Sequence, residues 1–428
     1  MSGSQPLKSY ALSVAQQDVP SSWMPESRPR LANTAARRIV SVASQSGTVS
    51  AGQPLLFQLP SSMGAGFLVS GSAYIKFTVA VTQATAYSWG FKQSGSGSSV
   101  FQRISAILSG ANVESVNMAN KLFHNLLLHA TNLTYLGSDA RVNEGVATSF
   151  TTQTATVCVP IPLGCLNAQQ HLPLFLLSSA LLQFDTETVL AAIQQNAGGN
   201  PAGGAVSAYE IRNASICFEQ LVPEPAYEQG IKAMLASRVY QMKIDTWANS
   251  RYAHQQTITQ TIGLNSSSVR CILWGSAPVA AQNNPGLQVS ASQTRCQVFA
   301  DGALVHNSQL DCSTADLAAE SYAEMNRALG LMFDSGRTSA DISVDQPTGV
   351  YTIAALTRAS YVNGAFLGGI SLSRETLDNG AFSFVGTPVQ NLVIQWSGTA
   401  INGGEFYVFC AVQQILTIDM AGSVNLIR

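Results

Sequence analysis

Charge is scarce in this sequence: Asp, Glu, Lys and Arg make up 11% of 428 residues, less than half of the ~25% typical of a soluble domain. The few charges nearly cancel, at a net −2, which leaves no basic face for sequence-specific nucleic-acid binding. Histidine is scarcer still. The five, His124, His129, His171, His254 and His306, show no H-E-x-x-H or H-x-H spacing. His124 and His129 share a predicted helix, but residues five apart on a helix point in different directions. All five read as polar surface or interface groups, and neither a metal nor a cofactor is expected. The seven cysteines, Cys158, Cys165, Cys217, Cys271, Cys296, Cys312 and Cys410, are odd in number and scattered, with no C-x-x-C pair. They read as buried small hydrophobes in a protein made in the reducing interior of a cell.

No apolar run reaches the ~18–20 residues of a membrane-spanning helix. The opening Met-Ser-Gly-Ser-Gln-Pro-Leu-Lys lacks the basic and apolar regions of a secretory leader, so the sequons at Asn132, Asn213 and Asn265 are expected to be chance matches. Catalytic motifs are missing too. There is no G-x-S-x-G elbow, and the Gly-rich run 197–204 has neither a G-K-[ST] ending nor a following helix. That run reads as an exposed flexible loop, and residues 92–99 read as a linker between strands. Asp185 and Glu187, the nearest approach to a carboxylate pair, read as exposed charge. The expectation is a protein that is not an enzyme and has no catalytic residues.

What is present is 46% hydrophobic residues in a background of Gly, Ser, Ala, Gln, Thr and Asn, a neutral polar surface suited to burial against copies of itself. Arg outnumbers Lys 16 to 6. Arg is the cation favoured at interfaces, although a base-composition bias in the genome produces the same ratio. Residues 1–37 are rich in Ser, Gln, Pro and Ala and read as an extended N-terminal arm. From residue 38, short β-rich runs punctuated by Gly, Ser, Asn and Pro follow one another, among them the alternating Tyr74-Ile75-Lys76-Phe77-Thr78-Val79. A connector with partial helical character spans 224–237, and β-rich runs resume at 238. Two of the chain's few plausible helices fall at 117–130 and 314–331.

The second half repeats the first. Ala106-Ile107-Leu108-Ser109-Gly110-Ala111-Asn112-Val113 matches Val298-Phe299-Ala300-Asp301-Gly302-Ala303-Leu304-Val305 in pattern, with the glycines 192 residues apart (302 minus 110). Ser215-Ile216-Cys217-Phe218 and Val408-Phe409-Cys410-Ala411 match at an offset of 193 (410 minus 217). Two matches at nearly one offset point to tandem copies of one β-domain. The expected fold is all-β: two tandem eight-stranded jelly-roll barrels, at 38–223 and 238–428, with short helical insertions.

At this point the sequence resembles the double jelly-roll major capsid proteins of icosahedral double-stranded DNA viruses, the lineage of tectiviruses, adenovirus hexons, phycodnaviruses and polinton-like viruses. The resemblance rests on four stretches: the arm leading into Arg37-Arg38-Ile39-Val40; Gly66-Phe67-Leu68-Val69 with the Tyr74 strand; Phe101-Gln102-Arg103-Ile104-Ser105 leading to Gly110; and the final Val408–Ile418 run. It implies a homotrimer of six upright barrels that tiles the virion shell beside other trimers, penton and minor cement proteins. An internal membrane beneath the shell is a further implied partner. The arm carries a local charge of about +3 (Lys8, Arg28, Arg30, Arg37 and Arg38 against Asp18 and Glu26), so Arg28, Arg30, Arg37 and Arg38 are candidate interface residues toward acidic headgroups or an acidic neighbouring subunit. Two rival readings are a single-shell RNA-virus coat protein and a carbohydrate-binding β-sandwich. The weakly basic arm and the internal repeat speak against the first, and the dispersed Trp23, Trp89, Trp247, Trp274 and Trp396 against the second.

Overall fold

The structure, a computed structural model, describes residues 36–83, 88–92, 96–130, 133–196, 206–236, 239–277, 288–306, 309–330, 340–345, 350–373 and 386–427. Eight principal strands build the first half: β1 (Ala36–Ala43), β2 (Pro54–Leu59), β3 (Tyr74–Gln83), β4 (Phe101–Leu108), β5 (Ala111–Asn117), β6 (Thr154–Pro160), β7 (Ala180–Thr186) and β8 (Val206–Val222). They pair antiparallel in two sheets, ordered β1-β8-β3-β6 and β2-β7-β4-β5. First beside last and second beside seventh is the two-sheet Greek-key order of a jelly roll.

Alternation explains which face each strand buries. In β7, Ala180, Leu182 and Phe184 are buried and Leu181, Gln183 and Asp185 are only partly covered, the period-2 pattern of a strand with one face on a core. Phe184 meets Phe57 of β2 edge-on at 5.6 Å and Phe101 of β4 at 5.1 Å, and Phe101 meets Phe77 of β3 at 5.2 Å. Rings from both sheets thus interlock across the barrel, each burial worth about 1.5–3 kcal/mol.

The second half follows the same order with one strand fewer. Its principal strands are β9 (Tyr240–Ala253), β10 (Thr257–Ala277), β11 (Arg295–Ala300), β12 (Ala303–Leu304), β13 (Gly368–Ser371), β14 (Thr387–Ser397) and β15 (Glu405–Ile418), beside a hairpin of Ala340–Asp345 with Val350–Ala355 and a short strand Val424–Ile427 on β15. β10 serves twice. Its first part pairs β14, and β14 pairs β11, which pairs β12; its second part pairs both β15 and β13, and β15 pairs β9. The β-rich runs 256–263 and 268–274, which read in sequence as two strands, are therefore one strand that crosses between sheets, bending at register shifts between Gly263 and Val269. Asn265 in this bend and Asn213 in a bulge of β8 have φ of +44° and +52°, a region asparagine tolerates better than other non-glycine residues. Among the described residues, no ladder joins a strand of the first half to one of the second.

The matched Gly-Ala turns occupy equivalent places, between β4 and β5 and between β11 and β12. Ser109-Gly110 and Asp301-Gly302 all have positive φ, at +50°, +81°, +48° and +84°, the conformation of a two-residue hairpin turn whose twist suits the flanking strands. The cysteine match is out of step. Cys217 stands opposite Tyr74 on the outward face of its sheet, next to the exposed Lys76 row. Cys410 stands opposite Ile272, on the face that two residues further carries Trp274 and Val408 into the barrel. The sequence offset at this strand is therefore one residue away from the structural one, because a one-residue slip exchanges the faces of a strand.

The second core is organised by a buried amide. Gln293 Oε1 accepts from the indole N–H groups of Trp274 and Trp396, each at 3.0 Å, while its Nε2 donates to the Leu310 carbonyl at 2.8 Å. Among the described residues, six helices of five residues or more decorate the barrels: α1 (Ala119–Ala130), α2 (Leu133–Gly137), α3 (Asp139–Glu144), α4 (Pro225–Met234), α5 (Ala319–Ala328) and α6 (Arg358–Asn363). α6 begins with a capping box in which Ser360 N donates to Thr357 Oγ1 at 3.1 Å and Thr357 N donates to Ser360 Oγ at 2.9 Å. Thr357→Ala is expected to cost about 1 kcal/mol, read as a lower urea midpoint at unchanged slope; an unchanged midpoint would show that the box contributes nothing.

Candidate functional site: the seam between the barrels

The residues capable of chemistry are dispersed. Among the described residues, no three His, Cys, Asp or Glu side chains gather as a metal site would require. Burial pushes the thiols of Cys165, Cys271, Cys296, Cys312 and Cys410 up, to about 11 for Cys271 and Cys312, opposite to the depressed value of a nucleophilic thiol. All seven cysteines are free, and Cys158 alone is not fully buried. Asp185 binds Arg103 through Nε at 2.6 Å, and Glu187 accepts from Thr188 N at 2.9 Å, so these two carboxylates at the end of β7 serve local contacts. Trp89, Trp274 and Trp396 lie in the cores.

Three expectations change. His124 and His129, read as surface or interface groups, are each 1% exposed inside the molecule. Within residues 92–99, Ser96, Ser98 and Ser99 are fully buried, and Gly97–Val100 forms a short 3-10 turn rather than an exposed linker. Its apolar neighbours and the Ser99 Oγ bond to the Ala192 carbonyl at 2.9 Å hold it in place. Strand β1 begins at Ala36, so Arg37 and Arg38 are laddered to β8: Arg37 binds the Glu219 carboxylate and Arg38 Nε donates to Gln220 Oε1 at 2.8 Å. Arg28, Arg30, the run 197–204 and Asn132 lie outside the described residues.

The two halves of the chain meet along a polar seam. Glu114 of β5 is buried, and its two carboxylate oxygens accept from Gly164 N at 2.9 Å and Cys165 N at 3.1 Å. Burial pushes its pKa up and the two N–H groups pull it back. This anchors the 164–166 turn directly against β9. A Cβ on Gly164 would lie 2.0 Å from the Asp245 carbonyl oxygen, so the two backbones meet at a spacing only glycine permits. Beside this contact, a groove of about 270 Å³ runs between Asn112–Ser115 of β5 and Thr246–Ala248 of β9.

Helix α1 completes the seam. Lys121, Asn125 and His129 follow one another at four-residue spacing and so share one face. Lys121 Nζ binds Glu405 and sits 5.3 Å from the Tyr407 ring; Arg251 reaches the same Glu405 at 3.2 Å. Asn125 lies beside the Tyr407 hydroxyl, and the His129 ring stands edge-on to Tyr361 at 6.4 Å. Asn249 donates to the Asn117 carbonyl, and the Tyr240 hydroxyl to the His171 carbonyl at 3.1 Å. Apart from the Arg251–Glu405 pair, which lies within the second barrel, each of these contacts joins the first barrel to the second. No sequence pattern marked them, because each partner lies more than 60 residues from the other; four-residue polar spacing on α1 was the single local signal.

No protein-family model and no curated protein matches this sequence. Solved structures do match. The chain superposes on the capsid of the virus PBCV-1 with a TM-score of 0.59 at 12% identity, covering 94% of this chain and 100% of that one. For the mavirus major capsid protein the TM-score is 0.52 at 10% identity, over 96% and 94%, and for the faustovirus major capsid protein 0.52 at 8%, over 95% and 94%. At this identity the likeness concerns the fold, and it covers 94% of this chain or more in each case. The chain has the double jelly-roll fold of these viral major capsid proteins.

Proposed function

We propose that the chain is the major capsid protein of an icosahedral double-stranded DNA virus, a structural subunit without catalytic activity that assembles as a homotrimer and tiles the virion shell. The observation that carries this reading is the tandem repetition of one jelly roll across nearly the whole chain, joined by a rigid polar seam, in a protein whose surface has little charge. Two barrels fixed side by side make a flat, elongated tile, and three such tiles bring six barrels into a pseudo-hexagonal block. Burial of subunit surface supplies the free energy of assembly, and shape with hydrogen bonds supplies its specificity. Penton and minor cement proteins are the partners proposed at the edges of the block. An internal membrane is the surface proposed for the N-terminal arm with Arg28 and Arg30.

Light scattering on the purified protein tests this. Three copies of 45.2 kDa give about 136 kDa (3 × 45.2), and negative-stain averages of the same peak are expected to show a hexagonal outline. A stable monomer that forms no lattice at any salt concentration would overturn the reading.

A further inference from the structure

Four strands wall the groove beside the Glu114 contact: β5 and β9 on the seam, β10 with Gly263 and Leu264 at its bend, and β15 with Val412 and Gln414. Its charge is already spent. Glu114, the one ionisable side chain in the lining among the described residues, is 3% exposed and gives its two oxygens to Gly164 N and Cys165 N. The groove therefore offers a cation no uncommitted carboxylate, and among the described residues no Lys, Arg or His lines it to receive an anion. The hydroxyls are committed too, Ser115 Oγ to Ser105 Oγ at 3.0 Å and Thr246 to Glu114.

Two amides stay open. Gln414 of β15 is 9% exposed, Asn112 of β5 lies exposed on the first-barrel side, and neither side chain makes a hydrogen bond among the described residues. A nine-tenths buried amide without a partner is costly, and Gln414 meets the groove, where a partner has room. Beside the amides stands an aliphatic wall of Val113, Leu264 and Val412. A planar amide presents an acceptor and a donor side by side, the arrangement that pairs with two neighbouring hydroxyl groups, one donating and one accepting. The complementary ligand is neutral, rich in adjacent hydroxyls, and apolar on one face.

We propose that the groove binds a neutral pyranose sugar, with the Gln414 and Asn112 amides each bridging neighbouring hydroxyls and the Val113, Leu264 and Val412 side taking the C–H face of the ring. The volume of about 270 Å³ lies just under the ~300–1,000 Å³ of sites for drug-sized ligands. It holds one ring with a few waters, so the ligand is a free sugar or the end of a glycan chain. The site lies within a single chain and does not depend on the capsid-subunit reading.

Saturation-transfer NMR on the purified native protein tests this with glucose, galactose, mannose, N-acetylglucosamine and the methyl glycoside of each. At least one is expected to bind at about 1–10 mM, as suits a ligand of about twelve to fifteen non-hydrogen atoms. A methyl glycoside that binds as well as its free sugar identifies a chain end, and binding of the free sugar alone identifies a soluble one. Gln414→Met, which conserves volume, and Asn112→Ala at an exposed position are each expected to weaken binding at least about fivefold without lowering the melting temperature. If no sugar binds within about tenfold of the expected range, if binding ignores both variants, or if adenosine binds more tightly than every sugar, the inference is overturned. Light scattering reads the trimer separately, so that failure leaves the capsid reading standing, and a monomer that binds sugar leaves this inference standing.

Discussion

Glu114→Leu is expected to destabilise the folded chain by about 2–6 kcal/mol, because it strips the acceptor from two buried backbone N–H groups, each worth about 1–3 kcal/mol when left unpaired. The carboxylate is buried against the turn that holds Gly164 and Cys165, and a leucine of similar volume offers that turn nothing. Glu114→Gln keeps one acceptor oxygen and is expected to lose roughly half as much. Urea denaturation separates the outcomes. A Leu variant within about 0.5 kcal/mol of the parent would mean that water from the adjoining groove satisfies both N–H groups, and that the Glu114 carboxylate contributes nothing to the seam. A further consequence is positional: the loss falls between the barrels, so intrinsic fluorescence is expected to report the Trp247 environment before that of Trp274 and Trp396.

Acid is expected to weaken the protein through His129. Burial among α1, Tyr361 and the Ala365 backbone holds its pKa at about 4, against 6.5 for the free side chain. As pH falls through 6.5 the unfolded chain takes up this proton first, and the folded chain does so only near 4. Stability is therefore lost over that window, about 2 kcal/mol by pH 5 and about 3 kcal/mol by pH 4, and levels out below. His254 is lowered by burial as well and adds in the same direction. Glu114 and Glu144 act oppositely: burial raises both, so their ionisation costs stability at neutral pH and that cost disappears as pH falls through their folded values. His129→Gln isolates the histidine. Melting temperatures from about pH 7.5 to 4.5 are expected to fall more steeply for the parent than for this variant, and parallel curves would remove His129 from the acid response.

Much of the architecture was legible in the sequence. The β-rich runs at 54–59, 101–109 and 389–397 appear as strands within two residues of those limits, because apolar alternation and Gly-Ser-Asn punctuation are local signals, whereas the run at 213–222 is the end of a strand that begins at Val206. The Ser109-Gly110 and Asp301-Gly302 turns were visible for the same reason. Other features resisted. Residues 92–99 look like a solvent linker by composition, yet neighbouring elements close over Ser96, Ser98 and Ser99. The bend of β10 merges two runs into one strand, since Ser and Asn at a bulge resemble a loop in sequence. Cys217 and Cys410 match by letter but face opposite sides, a distinction that depends on strand register and not on the residue.

Local composition and periodicity by themselves determined the fold class, the tandem repeat and the want of any catalytic or metal-binding pattern, since a strand's buried face follows from which alternate residues avoid water. Partner identity belonged to the tertiary structure. Arg37 meets Glu219 across 182 positions and Lys121 meets Glu405 across 284; only the folding of both barrels brings such residues within hydrogen-bond reach. The same long-range closure decided that Glu114 and His129 would be buried where the two barrels meet.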